Sequence, residues 1–225
     1  MSDNSRGFTT VELIIASLVF SIVALVALSG FIEIGRLFYK GATQSANQAT
    51  ARLISNALRG DIASTAVISG PKSVQAGGGV IKYYCVGNSR YTFILGQAVD
   101  LSNHDQNTKF GLLNDKLPGS SACANPFDPP SAVAIQDDAA ELLGDKMRLN
   151  ALCISPNSAV SYGNLYDVRV NLASGDDQYL SLSDDASPSS CESVQQATCA
   201  AKLSVSQYCA NSELEFSVAA GSSSQ

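Results

Sequence analysis

The sequence predicts an α+β fold: one long N-terminal helix, its first half transmembrane, packed on an antiparallel β-sheet head. Three patterns in the 225-residue chain carry that expectation. Residues 13–32, LIIASLVFSIVALVALSGFI, hold no charge. Residues 50–62 place apolar side chains four apart, as one face of a helix requires. Beyond Gly60 the pattern changes to alternation: LYDVRVNL at 165–172 sets Tyr166, Val168, Val170 and Leu172 against Asp167, Arg169 and Asn171, and ELEFSV at 213–218 repeats it. That alternation marks a half-buried antiparallel strand.

The uncharged run is long enough to cross a hydrocarbon core of roughly 30 Å as a helix. Glu12 stands at its threshold, beside Val11, Leu13, Ile14 and Ile15. A charged side chain at mid-bilayer costs about 2.5 to 3.5 kcal/mol or more, so a compensating partner is expected. A cleaved secretory signal is one alternative, with Ala27-Leu28-Ser29 as its small-residue site. Such signals need only about 7 to 15 apolar residues and open on basic ones, whereas this run is longer and opens on an acid. An uncleaved anchor with Glu12 at the interface explains the length and leaves the acid without a role.

After the span, helix is expected to continue, from about residue 9 to 62 in all and roughly 80 Å long. Thr50, Ile54, Leu58 and Ile62 form its apolar stripe, with Leu53 and Ala57 on the adjoining row and Gln44, Asn47, Arg52 and Arg59 on other faces. Gly60, Gly70-Pro71 and Gly77-Gly78-Gly79 then punctuate the chain. VIKYYCV and RYTFIL flank Gly87-Asn88-Ser89 as a hairpin, and MRLNALCIS at 147–155 is a further strand. DDAAELLG reads as a short helix capped by Asp137. Together these elements lay a helix across one face of an antiparallel sheet.

Composition narrows the function classes. The formal net charge of -6 argues against a general nucleic-acid surface, which rests on clustered Lys and Arg. All six cysteines, Cys85, Cys123, Cys153, Cys191, Cys199 and Cys209, follow the apolar run, and none forms a CxxC pair. In an exported head they are expected to form disulfides; about fifteen pairings are open. Cys191, Cys199 and Cys209 crowd near the C-terminus, so a short loop should close there and pin the last strand to SPSSCESVQQATC. No catalytic residue, metal site or cofactor is expected. His104, the one histidine, lies in polar SNHDQN. Asp137-Asp138, Asp176-Asp177 and Asp184-Asp185 lack the spaced pattern of a calcium loop and read as turn and cap residues. GGG at 77–79 lacks the lysine of a phosphate loop.

The polar leader MSDNSRG, then Phe8, then Glu12 five residues after Gly7, then an unbroken apolar helix, resembles the class III signal of type IV pilins and pseudopilins. The resemblance is close over about the first 30 residues. It implies cleavage after Gly7 by a membrane prepilin peptidase, methylation of the new amino terminus on Phe8, and a type IV pilin fold. It also implies a role for Glu12: pairing with the amino terminus of a neighbouring subunit as the helices bundle into a filament. An isolated carboxylate in an apolar setting is costly, and an ammonium partner offsets that cost only in the assembled geometry. On that basis the chain divides into a leader at 1–7, a transmembrane and assembly helix at 8–35, the amphipathic half of the helix at 36–64, and a disulfide-bonded head at 65–225.

Two departures accompany the resemblance. Many pilins kink this helix with a proline, where this chain has Ser29-Gly30. Arg36 and Lys40 after the span outnumber Arg6 before it, which by the positive-inside rule favours the opposite orientation. The need of the cysteines for an oxidising exterior, and of the cleavage site for its peptidase, argues for the head outside. DIASTAVI, the hairpin and YDVRVNL look like the larger minor pilins of the PilW and GspJ kind.

The resemblance implies a minor pilin or pseudopilin, a non-enzymatic subunit that assembles with other pilin subunits on an inner-membrane platform. It would be a single-pass cytoplasmic membrane protein before assembly and part of a surface or periplasmic filament after it. The alternatives are a filament-tip adhesin or DNA-uptake subunit, a type II secretion pseudopilin, and an ordinary anchored surface protein indifferent to Glu12.

Overall fold

The computed structural model describes residues 9–76, 79–103, 109–117, 125–127, 135, 138–158, 164–185, 187–200 and 208–221. A single helix, α1, runs Thr10–Ala63. It is followed by β1 (Ile68–Ala76), β2 (Gly79–Val86), β3 (Ser89–Phe93), β4 (Leu112–Lys116) and β5 (Ala140–Glu141), which form one antiparallel sheet in that order. A second sheet has the order β10 (Ala210–Ala219), β7 (Leu165–Ser174), β6 (Met147–Pro156), and β8 (Leu180–Asp184) pairs with β9 (Gln195–Cys199). The fold is thus α+β with antiparallel strands, as expected. The single sheet anticipated from the alternating segments is instead three among the described residues.

Helix α1 crosses β10 and β7 with the expected stripe: Ile54, Leu58 and Ile62 are fully buried. Val168, Val170 and Leu172 of β7 meet them from one side, and Tyr84, Tyr91 and Phe93 of the five-stranded sheet join the same core. The second buried row differs from expectation. Ala51 and Ser55 face inward while Leu53 is half exposed, because the close approach of α1 to β10 admits only small side chains on that flank. Asn47, expected on a polar face, is buried: its Nδ2 donates to the carbonyl of Ala210 at 3.2 Å, where β10 begins beneath the helix. At the other end of α1, Asp61 accepts a hydrogen bond from the Tyr91 hydroxyl at 2.6 Å and pairs with Lys116 at 3.2 Å, tying the helix to the five-stranded sheet.

The hairpin at Gly87-Asn88 forms as expected, with Val86 opposite Ser89 and Gly87 at φ 58°. Gly70-Pro71 does not break the chain. It lies inside β1 at a register shift between Ser69 and Lys72, and a Cβ on Gly70 would stand 2.8 Å from the Tyr83 carbonyl oxygen. Only glycine fits there. The helix expected at DDAAELLG is a strand and turn instead: β5 pairs with β4, and the Glu141 carboxylate accepts from the backbone N–H groups of Gly111, Leu112 and Leu143 at 2.8 to 3.0 Å. Its side chain satisfies the neighbouring strand, and that contact outweighs local helix propensity. Asp137 lies outside the described residues.

Two disulfides join the described cysteines. Cys199–Cys209 closes a ten-residue separation and pins the end of β9 to the start of β10, the short C-terminal loop that the cysteine spacing suggested. Cys153–Cys191 spans 38 residues and fastens β6 to the segment before β9. Cys85 is also disulfide-bonded, and Cys123 lies outside the described residues. Restriction of the unfolded chain scales with loop length, to about 4 kcal/mol for the longer loop and about 3 kcal/mol for the shorter. Paired replacement of Cys153 and Cys191 by serine is therefore expected to lower the denaturation midpoint further than replacement of Cys199 and Cys209. Chemical unfolding of the two variants, followed by far-ultraviolet dichroism, checks the order.

Candidate functional site

The candidate site is the free half of α1. No residue of the helix before Asn47 is buried, so more than half of its 54 residues project beyond the head. Leu13, Phe20, Leu25, Phe31 and Phe38 are each exposed by two thirds or more, an apolar surface that extends around the whole rod. Amphipathic helices bury one stripe, and a helix apolar on every side belongs in a protein core or in lipid. This helix is long and apolar enough to cross a membrane. Within it, Ser17, Ser21 and Ser29 turn their hydroxyls back to the carbonyls of Ile14, Ser17 and Val26, so their polarity is satisfied inside the rod. Ser29-Gly30, the pair noted in place of a proline, lies in unbroken α-helix.

Glu12 occupies the third helical position and closes a capping box. Its Oε2 accepts from the Thr9 backbone N–H and hydroxyl, both at 2.9 Å, and the Thr9 Oγ1 accepts from the Glu12 N–H at 3.3 Å. The helix start is thereby satisfied from within. The charge argument for Glu12 does not contain this role, although Thr9-x-x-Glu12 before an apolar run is the signature of a capping box. The carboxylate remains exposed at the tip of the helix. Gly7 and Phe8, the expected processing residues, lie outside the described residues.

On the head, Arg169 projects from the outward face of β7 into a groove of about 790 Å³. Its guanidinium reaches Glu213 at 2.7 Å, Glu192 at 2.5 Å and Glu215 at 3.5 Å, so one cation joins β10 to the segment before β9. Hydrogen bonds from the hydroxyl and backbone N–H of Ser189, with Arg169 adding its charge, hold the Glu192 carboxyl below its usual range. The Glu213 carboxylate, more than the other acids, raises the already high pKa of Arg169. These groups are occupied by one another, and the network acts as a cross-strand clamp.

The remaining sequence candidates are dispersed. Asp176 pairs with Lys146 at 2.8 Å and Asp177 with Arg148, so both serve as ion-pair partners; Asp176 precedes a short 3-10 turn without capping it. Asp185 accepts from the Ser187 N–H at 3.0 Å in a turn. His104 lies outside the described residues, and no group of three or more His, Cys, Asp or Glu converges among the described ones. The architecture, one long N-terminal helix with an apolar first part joined to antiparallel sheets, is compatible with a pilin-like fold. Comparison of the chain with protein-family models, with curated proteins and with solved structures gives no match.

Proposed function

We propose that this chain is a membrane-anchored structural subunit of the pilin or pseudopilin kind, which inserts through α1, is trimmed after Gly7 and packs by its apolar helix into a filament. The observation that carries the proposal is the continuity of α1: one uninterrupted helix holds the uncharged, unpacked run at residues 13–32 and becomes a core element of the head from Asn47 onward. Such a rod couples the position of the head rigidly to the packing of the anchor. In lipid the apolar half is solvated by acyl chains. In a filament it would meet other helices of the same character at little hydrophobic cost. The role is structural, with no substrate to turn over, and the partners are other subunits of the same design together with the processing peptidase and an assembly platform.

A second reading, a single-pass surface protein that never assembles, draws support from the capping box, since that gives Glu12 a task inside its own helix. The two readings part at the amino terminus. Mass spectrometry of the natural protein is expected to find a mature chain beginning at Phe8 with a methylated amine. A chain that retains residues 1–7 would overturn the pilin proposal and leave the anchored protein.

A further inference from the structure

Where α1 meets the base of the head, its exposed aromatic residues continue into the head itself. Phe38 and Tyr39 are neighbours on the helix, with ring centroids 6.3 Å apart. Tyr39 lies 6.2 Å from Tyr208, and Tyr208 stacks on Tyr179 at 5.1 Å. The helix contributes the first two rings, the residue before Cys209 the third, and the turn between β7 and β8 the fourth. Tyr39 is 58% exposed and Tyr208 40% exposed, while Tyr179 is half-buried against Ala173, Leu180 and Ala197, so the row presents a surface at Tyr39 and Tyr208 and is anchored in the head at Tyr179.

Its height along α1 is informative. From Ile32, the last residue of the uncharged run, to Tyr39 the helix rises about 10 Å at about 1.5 Å per residue. A bilayer is about 40 to 45 Å thick once both headgroup layers are included. With residues 13–32 in the roughly 30 Å hydrocarbon core, Tyr39 stands just past its far edge. Because side chains of a helix lean back toward its N-terminus, the Tyr39 ring reaches the headgroup layer on that side, where tyrosine is enriched because its ring is apolar and its hydroxyl is wet. Arg36, 3.9 Å from Glu33, and Lys40 flank the same level, where Lys40 can reach lipid phosphate. The acids of the adjoining turn are neutralised, Asp176 by Lys146 and Asp177 by Arg148.

We infer that the Tyr39–Tyr208–Tyr179 row is a membrane-seating surface: while the protein resides in the bilayer, these rings lie in the headgroup layer and hold the base of the head against lipid. The inference rests on the reading of residues 13–32 as a membrane span. It commits to one partner, the interfacial layer of the bilayer that the helix itself crosses.

The chain contains no tryptophan, so single tryptophans report without background. Full-length Tyr208→Trp, Tyr179→Trp, Phe20→Trp and Val67→Trp would be reconstituted in phosphatidylcholine vesicles carrying a spin label on the headgroup or at mid-chain. Tyr208→Trp is expected to lose emission chiefly to the headgroup label, and Phe20→Trp, within the span, chiefly to the mid-chain label. Val67→Trp, beyond the far end of α1, is expected to keep its emission with both. Tyr179→Trp carries the same expectation as Tyr208→Trp should the latter fail to fold.

Unquenched tryptophans at 208 and 179 beside a quenched one at 20 would overturn the seating and leave the span intact. An unquenched tryptophan at 20 would overturn the span, and the seating with it. Quenching at 67 equal to that at 208 would also overturn the inference, because the head would then lie on lipid without orientation.

Discussion

Glu12→Gln is expected to insert and fold normally and yet to be missing from sheared surface fibres. The capping box makes this substitution more telling than alanine. Glu12 accepts from the Thr9 backbone at 2.9 Å, and a glutamine at the same position supplies an amide oxygen for that bond. Glutamine therefore preserves the helix start and removes only the charge. Thr9→Ala does the reverse, removing the capping hydroxyl at a cost of about 1 kcal/mol while leaving the carboxylate in place.

If the charge pairs with the amino terminus of a neighbouring subunit, its loss leaves that ammonium buried and unpaired. Truncation of one partner in such a pair costs about 2 kcal/mol or more, which lowers incorporation about 30-fold. Thr9→Ala should then appear in fibres near the normal level. Recovery of Glu12→Gln in fibres at that level would mean that the acid only caps its helix, and assembly through Glu12 would have to be abandoned. The membrane fraction of each variant provides the control for insertion.

Patterns confined to single elements were legible in the sequence. The uncharged run, the stripe through Ile54, Leu58 and Ile62, and the alternation in β7 and β10 each follow from the period of one element, and each is where it was expected. The failures arise where one element answers to another. Glu141 sits in a stretch of good helix formers, but its carboxylate is drawn to the backbone of Gly111 and Leu112, thirty residues earlier in the chain. Asn47 reads as a surface residue until β10 offers it a carbonyl. The direction of the helix's second buried row depends on which flank meets β10, and an isolated helical wheel is blind to that. At the candidate site, the charge argument for Glu12 was available from sequence. The capping role is equally legible in Thr9-x-x-Glu12, the spacing of a capping box.

Arg90 and Asp115 supply the second large expected effect. The alternation in SRYTF points Tyr91 and Phe93 into the core and Arg90 and Thr92 to the opposite face of the five-stranded sheet. That face is covered as well: Phe127 and Ile135 pack against Ile81, Phe110 and Leu113, and Arg90 has no exposed surface. Arg90 stands directly opposite Asp115 in the β3–β4 register, and two nitrogens of its guanidinium meet the two carboxylate oxygens at 3.1 and 2.5 Å. A pair buried this deeply gives up hydration on both sides, so its net contribution is small, whereas breaking it strands a charge.

Asp115→Ala is therefore expected to destabilise the head by about 3 to 5 kcal/mol, lowering the melting temperature by on the order of 10 °C. The double variant Arg90→Met with Asp115→Leu, of similar shape and without charge, is expected to lie close to the wild type. Thermal unfolding of the full chain in detergent, followed by dichroism, measures both. If the double variant proved as unstable as Asp115→Ala, the ion pair itself would be a net source of stability, and the buried charge could no longer be treated as a matched cost.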